Sequence, residues 1–149
     1  MPEGRLARVW SIEDNPDDAH FIRTALQRCA PSIVLREFAD GDAALDALRG
    51  LPARERPHVI LLDLNLPTRD GHEVLTEFKN NPELRDIPVI VLTASRSERD
   101  LKRSYALHAN AHVTKPNDFR EYETFARSLC AFWLGWVGVG EATQFSRAG

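Results

Sequence analysis

Five residues of this chain have the types and positions to do chemistry together: Glu13, Asp14, Asp63, Thr93 and Lys115. Asp63 closes the most apolar stretch, His58-Val59-Ile60-Leu61-Leu62, and Leu64-Asn65-Leu66-Pro67 follows it. A short continuous run of Val, Ile and Leu fits a strand buried on both faces. Pro67 cannot donate to a sheet ladder, so the strand is over by then. A carboxylate at such a place is costly unless it has work to do or a cation to pair with. Three carboxylates brought together repel, and either raise a pKa or hold a divalent cation. All-oxygen ligation favours Mg²⁺ or Mn²⁺ over zinc. A metal, an ammonium and a hydroxyl around a carboxylate are the parts that hold the charge of a transferring phosphoryl group. The carboxylate itself can be the nucleophile, giving an acyl phosphate, and Asp63 stands alone at the centre.

These residues meet only if the strands that carry them lie side by side. Residues 8–12 read as a first strand. Asn15-Pro16-Asp17-Asp18 opens a helix, the proline suiting its first turn and the acids its positive end. Ala19, Ile22, Leu26 and Cys29 make one core-facing stripe, and Pro31 ends it. Residues 33–38 alternate imperfectly, as an edge strand does. Asp40-Gly41-Asp42 starts a second helix with Ala44, Leu45 and Leu48 inward, and residues 52–57 form a polar loop. Asp70-Gly71-His72-Glu73 has the form of a capping box. Val74, Leu75 and Phe78 carry that helix's inner face until Asn80-Asn81-Pro82 breaks it. Residues 88–93 are a fourth buried strand. Residues 97–108 are a helix with Leu101, Tyr105 and His108 on a weakly apolar face. Residues 111–116 are a short fifth strand, and a last helix runs over residues 118–134. Alternating strands and helices predict an α/β fold, a parallel sheet covered on both faces, with right-handed crossovers. The five units fit a flavodoxin-like (βα)5 doubly wound sheet in order 2-1-3-4-5. Its switch point lies between the first and third strands. That order rests on precedent rather than on the residues.

Each residue has a plainer reading. Glu13 and Asp14 suit the acidic start of a helix. Asp63 can cap a loop, Thr93 can be an N-cap, and Lys115 can be a surface lysine before a proline turn. The shared site is favoured because all five end strands of one sheet. The totals narrow the function further. At 149 residues the chain fits one domain, and 43% hydrophobic with 28% charged residues is ordinary for a globular protein. A net charge of -3 without a basic block disfavours nucleic-acid binding. Cys29 and Cys130 follow no metal spacing and read as buried, reduced thiols. No signal-type segment opens the chain, and the apolar stretch 129–139 is too short to span a bilayer. The expectation is a cytoplasmic protein with no membrane contact.

Ile12-Glu13-Asp14-Asn15-Pro16, Leu62-Asp63-Leu64-Asn65-Leu66-Pro67 with Asp70-Gly71, Val91-Leu92-Thr93-Ala94 and Thr114-Lys115-Pro116 occur in that order. In this the sequence resembles the receiver domains of two-component response regulators, over nearly the whole chain. The resemblance implies that Asp63 accepts a phosphoryl group from a histidine kinase's phosphohistidine. It implies that Asp14, Asp63 and the carbonyl of Asn65 ligate Mg²⁺, with Glu13 acting through water. It further implies that Lys115 contacts the phosphoryl oxygens and that Thr93 turns inward, with small Ala94 leaving room beside it. Asn65 and Ser95 would flank the route of attacking water and tune the lifetime. Such a protein catalyses its own Mg-dependent phosphorylation and slow dephosphorylation without being an enzyme in the ordinary sense. Where relatives place Tyr or Phe as a switch residue, this chain has His112. An imidazole is smaller and titrates near neutral pH, which predicts a weaker or pH-sensitive switch. The plainer reading of His112 is a satisfied, partly exposed histidine. Glu13 departs from the more common aspartate, and its longer side chain suits a water-mediated role.

Residues 1–135 thus read as the receiver and 136–149 as a tail, with too few residues left for a second core. Output then passes through protein contacts. Phe119, Tyr122, Ala126, Leu129 and Trp133 make one stripe of the last helix, and Phe125, Phe132 and Trp136 another. One sheet face buries one stripe. The second, with Tyr105, is expected either to form an interface or to be covered by the tail. The Phe132-Trp133-Leu134 ending is similar to small single-domain regulators that partner phytochrome-type histidine kinases. That similarity implies a homodimer through the fourth helix, fifth strand, fifth helix and tail. Three other readings compete. A haloacid-dehalogenase-like phosphatase needs an Asp where Asn65 stands. A flavin-binding flavodoxin needs a phosphate loop where Glu13-Asp14-Asn15-Pro16 stands. A degenerate receiver scaffold would not keep the five site residues.

Overall fold

The computed structural model describes residues 7–132. Five strands form one parallel sheet in the order β2-β1-β3-β4-β5. They are β1 (Arg8–Ile12), β2 (Val34–Phe38), β3 (Val59–Leu62), β4 (Val89–Thr93) and β5 (Ala111–Thr114). The connecting helices are α1 (Pro16–Cys29), α2 (Gly41–Leu48), α3 (Gly71–Asn80) and α4 (Glu98–Ala106), and α5 (Phe119–Leu129) follows β5. The predicted class and strand order are both found. The polar loop at 52–57 carries a single 3-10 turn, Ala53–Glu55.

The two faces of the sheet follow from the period-2 alternation of strand side chains. Val9, Val59, Leu61, Ile90 and Leu92 point to one face and pack with Ile22, Ala25 and Leu26 of α1 and Tyr122, Ala126 and Leu129 of α5. Ile12, Ile60, Leu62 and Val91 point to the other and pack with Ala44, Leu45 and Leu48 of α2 and Val74, Leu75 and Phe78 of α3. β3 is buried at every position, as its unbroken apolar run requires. Each such side chain contributes about 1.5–3 kcal/mol through burial. β2, on the edge, leaves Val34 exposed.

Helix starts are fixed locally. Asn15 accepts from the amides of Asp17 and Asp18, Asp40 from Ala43, Ser97 from Asp100 and Asp118 from Glu121. The capping box of α3 is half made. Asp70 accepts from the amide of His72 at 2.9 Å, but the Glu73 carboxylate faces Arg69 at 3.6 Å instead of reaching back. α4 is the least embedded helix. Only Ser104 of its residues is buried, while Leu101 and Tyr105, on its apolar face, lie open. The helical pattern of α4 therefore describes a surface, not a core contact. His108 follows α4 with φ 72°, ending the helix in the left-handed region. Trp133, Trp136 and the tail 136–149 lie outside the described residues.

Candidate functional site

Strand register brings the expected residues to one rim. Ile12 is level with Leu62, Leu62 with Val91, and Thr93 with Thr114. The residues that follow are therefore neighbours. The amide of Asp63 donates to the carbonyl of Ile12 at 3.0 Å, and that of Lys115 to the carbonyl of Thr93 at 2.7 Å. Glu13, Asp14 and Asp63 each offer a carboxylate oxygen within 4.8 Å of the others. Glu13 and Asp63 are buried and Asp14 is exposed, so the cluster has a closed side and an open one. On the open side a pocket of about 410 Å³ is lined by Asp14, Asn65, Pro67, Asp70, His72 and Asp100, among others.

Lys115 ties the closed side together. Its Nζ donates to Glu13 Oε1 at 2.8 Å, to Asp18 Oδ2 at 2.8 Å and to Asp63 Oδ2 at 3.1 Å. Burial works against the charged ammonium, yet the hydrogen-bonded carboxylates of Asp18 and Glu13 outweigh it and raise the pKa of Lys115. Glu13 tells the same story from the other side. Burial, helped by the negative charge of Asp63, pushes it up to about 7 despite its bond to Lys115. Three carboxylates, Glu13, Asp18 and Asp63, thus bond one ammonium, and Asp14 stands beside two of them. The excess negative charge is relieved either by a proton on Glu13 or by a cation. The cluster is all oxygen and flexible in charge, and it fits a hard divalent ion.

The backbone beside Asp63 is equally constrained. The Asn65 amide donates to Asp63 Oδ1 at 3.2 Å, and the Asn65 side chain is exposed at the rim. Gly71 brings the start of α3 against this turn, its amide donating to the carbonyl of Leu64 at 2.8 Å. A Cβ on Gly71 would sit 2.5 Å from the carbonyl oxygen of Asp63 and 2.5 Å from Leu64 Cα, closer than real Cβ atoms approach. Only glycine permits the approach that sets the Asp63 backbone.

Thr93 is wholly buried at the end of β4, and its Oγ1 accepts from the Ser95 amide at 3.2 Å. Its alternative reading as an N-cap fails, since Ser97 caps α4. Ser95 Oγ donates to Asp100 Oδ2 at 2.6 Å and is turned toward α4. His112 departs from the titrating residue the sequence suggests. It is half-buried, and its Nδ1 lies 2.9 Å from Ser104 Oγ, which lies 3.0 Å from His72 Nε2. Burial, with His72 beside it, lowers the pKa of His112, so the ring stays neutral at pH 7. Burial and Arg103 lower that of His72 likewise. Ser104 stands between two neutral imidazoles as their shared partner.

Sequence reasoning missed Asp18, Tyr122, Ser104 and His72, and gave Gly71 no steric role. Asp18 reads as one of two acids at a helix start, whereas its carboxylate binds Lys115 and also accepts from Tyr122 Oη at 3.1 Å. Burial and the Asp18 charge raise the pKa of Tyr122. The other expected interface residues lie apart from this site. Tyr105 is half exposed, with Oη accepting from the His112 amide at 3.1 Å. Phe125 is half-buried, and Phe132 is exposed. An apolar pocket of about 300 Å³ lies beside them, lined by Ile90, Val113, Phe125 and Phe132.

Comparison with known proteins agrees with this geometry. Residues 9–127 match the family model described as response regulator receiver domain. The chain is 42% identical over 130 residues to the probable methanogenesis regulatory protein FilR2 of Methanothrix harundinacea, covering 86% of this chain and 84% of that one. It is 40% identical over 137 residues to the response regulator Rcp1 of Synechocystis, covering 90% and 93%. Among solved structures, the Mn²⁺-bound form of Rcp1 superposes with a TM-score of 0.80 at 38% identity, covering 89% of this chain and 98% of that one. The phosphorylated cyanobacterial phytochrome response regulator RcpA gives 0.85 at 35% identity, covering 92% and 100%.

Proposed function

The chain belongs to the response regulator receiver family, and we propose that it is a phosphorylation-driven switch in which Asp63 takes the phosphoryl group of a kinase phosphohistidine. The observation that carries this reading is the buried Asp63 carboxylate, bonded to Lys115 and sharing its cluster with Glu13 and Asp14. An Asp63 oxygen forms the new bond to phosphorus as the bond to the kinase imidazole breaks. Lys115, freed from part of its three-carboxylate cage, moves its charge onto the phosphoryl oxygens, and the Thr93 hydroxyl donates to one of them. Asp14, Asp63 and the Asn65 carbonyl would hold a divalent cation, Mg²⁺ in the cell, with Glu13 acting through water. That cation supplies the charge compensation a transferring phosphoryl group needs. The chain thereby promotes its own phosphorylation and slow hydrolysis. The rim-exposed Asn65 side chain and Ser95 set the lifetime.

His112 is level with Val91, one strand from the site, and is held by Ser104 of α4. Movement of Thr93 toward a phosphoryl group is passed to His112, and the loss of its bond to Ser104 loosens α4 against β5. The readout is an interaction surface on α4, β5 and α5, where Leu101, Tyr105 and Phe132 are exposed. A homodimer through this face and the tail, with Trp133 and Trp136, fits that apolar exposure. Sedimentation of wild type and Phe132→Asp tests it.

The donor we propose is a phytochrome-type histidine kinase, in a cytoplasmic setting and without nucleic acid. RcpA, a phytochrome response regulator, supports that choice. No described helix is long and apolar enough to cross a membrane. Transfer of radiolabel from an autophosphorylated phytochrome-type kinase to the wild type, and not to Asp63→Asn, is the expected result. Equal labelling of the variant would overturn the assignment. Label retained on the kinase, while other histidine kinases discharge theirs, would overturn the donor alone.

A further inference from the structure

Cys29 and Cys130 are 101 residues apart in sequence, and their sulfurs lie 2.8 Å apart, far inside ordinary contact. Cys29 is the last residue of α1, and Cys130 directly follows α5. Both are half-buried rather than buried as the sequence suggests, and both are free. A disulfide needs a bond of about 2.05 Å, so closure from 2.8 Å asks for a movement of less than about 1 Å. The two thiols differ in access. Cys29 lines a pocket of about 140 Å³ with Ala25, Arg28, Glu123 and Arg127, and Cys130 does not. Two of the lining side chains, Arg28 and Glu123, are paired with each other at 3.2 Å. Burial pushes the Cys130 thiol up to about 12, which suits the second thiol of a pair rather than the first to react.

We propose that Cys29 and Cys130 are a redox-modification site, closed to a reversible intramolecular disulfide by an oxidant of the hydroperoxide class. The Cys29 thiolate attacks one peroxide oxygen. An S–O bond forms, the O–O bond breaks, and with hydrogen peroxide the other oxygen leaves as water after taking up a proton. The Cys130 sulfur then attacks Cys29. The S–S bond forms, the S–O bond breaks, and the departing hydroxide takes the Cys130 proton as a second water. In sum, two thiols and one peroxide give one disulfide and two waters. The bond fastens the ends of α1 and α5, two helices already joined near the phosphoryl site by Asp18, Tyr122 and Lys115.

The test uses the full chain, reduced and then freed of reductant. It is held dilute with a few equivalents of hydrogen peroxide and quenched with an alkylating agent. The expected intact mass is lower by two hydrogens with no alkyl group added. The tryptic peptides beginning at Cys29 and Ser128 are joined, and dithiothreitol restores both thiols. Cys130→Ser stops at a sulfenic acid on Cys29 that dimedone traps. Cys29→Ser stays unreacted over the same interval. Two alkylated thiols, a covalent dimer on a non-reducing gel, or sulfinic acid without the joined peptides would each overturn the proposal.

Discussion

Two polar clusters lie under the helices of this fold, and they differ in how their charge is balanced. At the carboxyl ends of β1 and β3, Glu13, Asp14, Asp18 and Asp63 outnumber the one ammonium of Lys115. Between α3, α4 and β5, His72, Ser104 and His112 form a chain of neutral groups, each hydrogen-bonded. Burial shapes both, with opposite outcomes. It raises the pKa of Glu13 and leaves a cluster that gains from a cation. It lowers those of His72 and His112 and leaves a cluster complete as it stands. An incomplete cluster is suited to receiving charge. A complete one is suited to holding two elements in one arrangement until something breaks it.

The comparison breaks most sharply at Lys115. Lys115→Met leaves Glu13, Asp18 and Asp63 facing one another without a cation. Without divalent metal the variant is expected to lose about 3–5 kcal/mol, the usual cost of removing one partner from a buried ionic group. Urea melts with and without Mg²⁺ check this, and Mg²⁺ is expected to stabilise the variant more than the wild type. Gly71→Ala is next, at about 2–3 kcal/mol, because the new Cβ meets backbone that cannot step aside. Its loss of phosphorylation rate should exceed what the lost stability explains, since the clash falls on Asp63 itself. In the neutral cluster, Ser104→Ala strands two imidazole nitrogens and is expected to cost about 1–2 kcal/mol, read by thermal melting. Phosphoryl uptake on Asp63 should survive in that variant, whereas its effect on the α4–β5–α5 surface should be lost.

The smallest effect is on pH. His72 and His112 have folded pKa values below the ordinary one. Below the ordinary value the unfolded chain takes up protons that the folded chain does not. Their stabilisation is therefore complete above about pH 6.5 and is lost as pH falls from there toward the folded values. Glu13, with its folded value of about 7, works in the opposite direction over the same window, so the profile is read in Glu13→Gln. A decline in stability over this window in Glu13→Gln, reduced when Ser104→Ala is added, is the expected melt profile. In that variant, a stability that rises as pH falls would mean the imidazoles are charged in the fold.

How far the sequence reached follows the same division. The strands and the residues that end them were legible, because Val59–Leu62 and Val89–Thr93 are nearly pure apolar runs, whereas the strand order came from precedent. Glu13, Asp63, Thr93 and Lys115 were found because strand ends concentrate at one rim. Asp18 was hidden in a helix start, where an acid needs no further reason. Tyr122 was hidden in a stripe, where its ring explains its position and its hydroxyl does not. Ser104 was hidden because the apolar residues of α4 face outward and a serine faces in. The Cys29–Cys130 contact had no local signal, since only the packing of α1 against α5 makes it.

The central claim is that Asp63 receives a phosphoryl group in a site completed by a divalent cation. The direct measurement is the intact mass of the full chain after incubation with acetyl phosphate, with Mg²⁺ and with a chelator, beside Asp63→Asn. The account predicts a gain of one phosphoryl group that requires Mg²⁺ and is absent from the variant. A gain that persists in Asp63→Asn, or no gain with Mg²⁺ present, would contradict it.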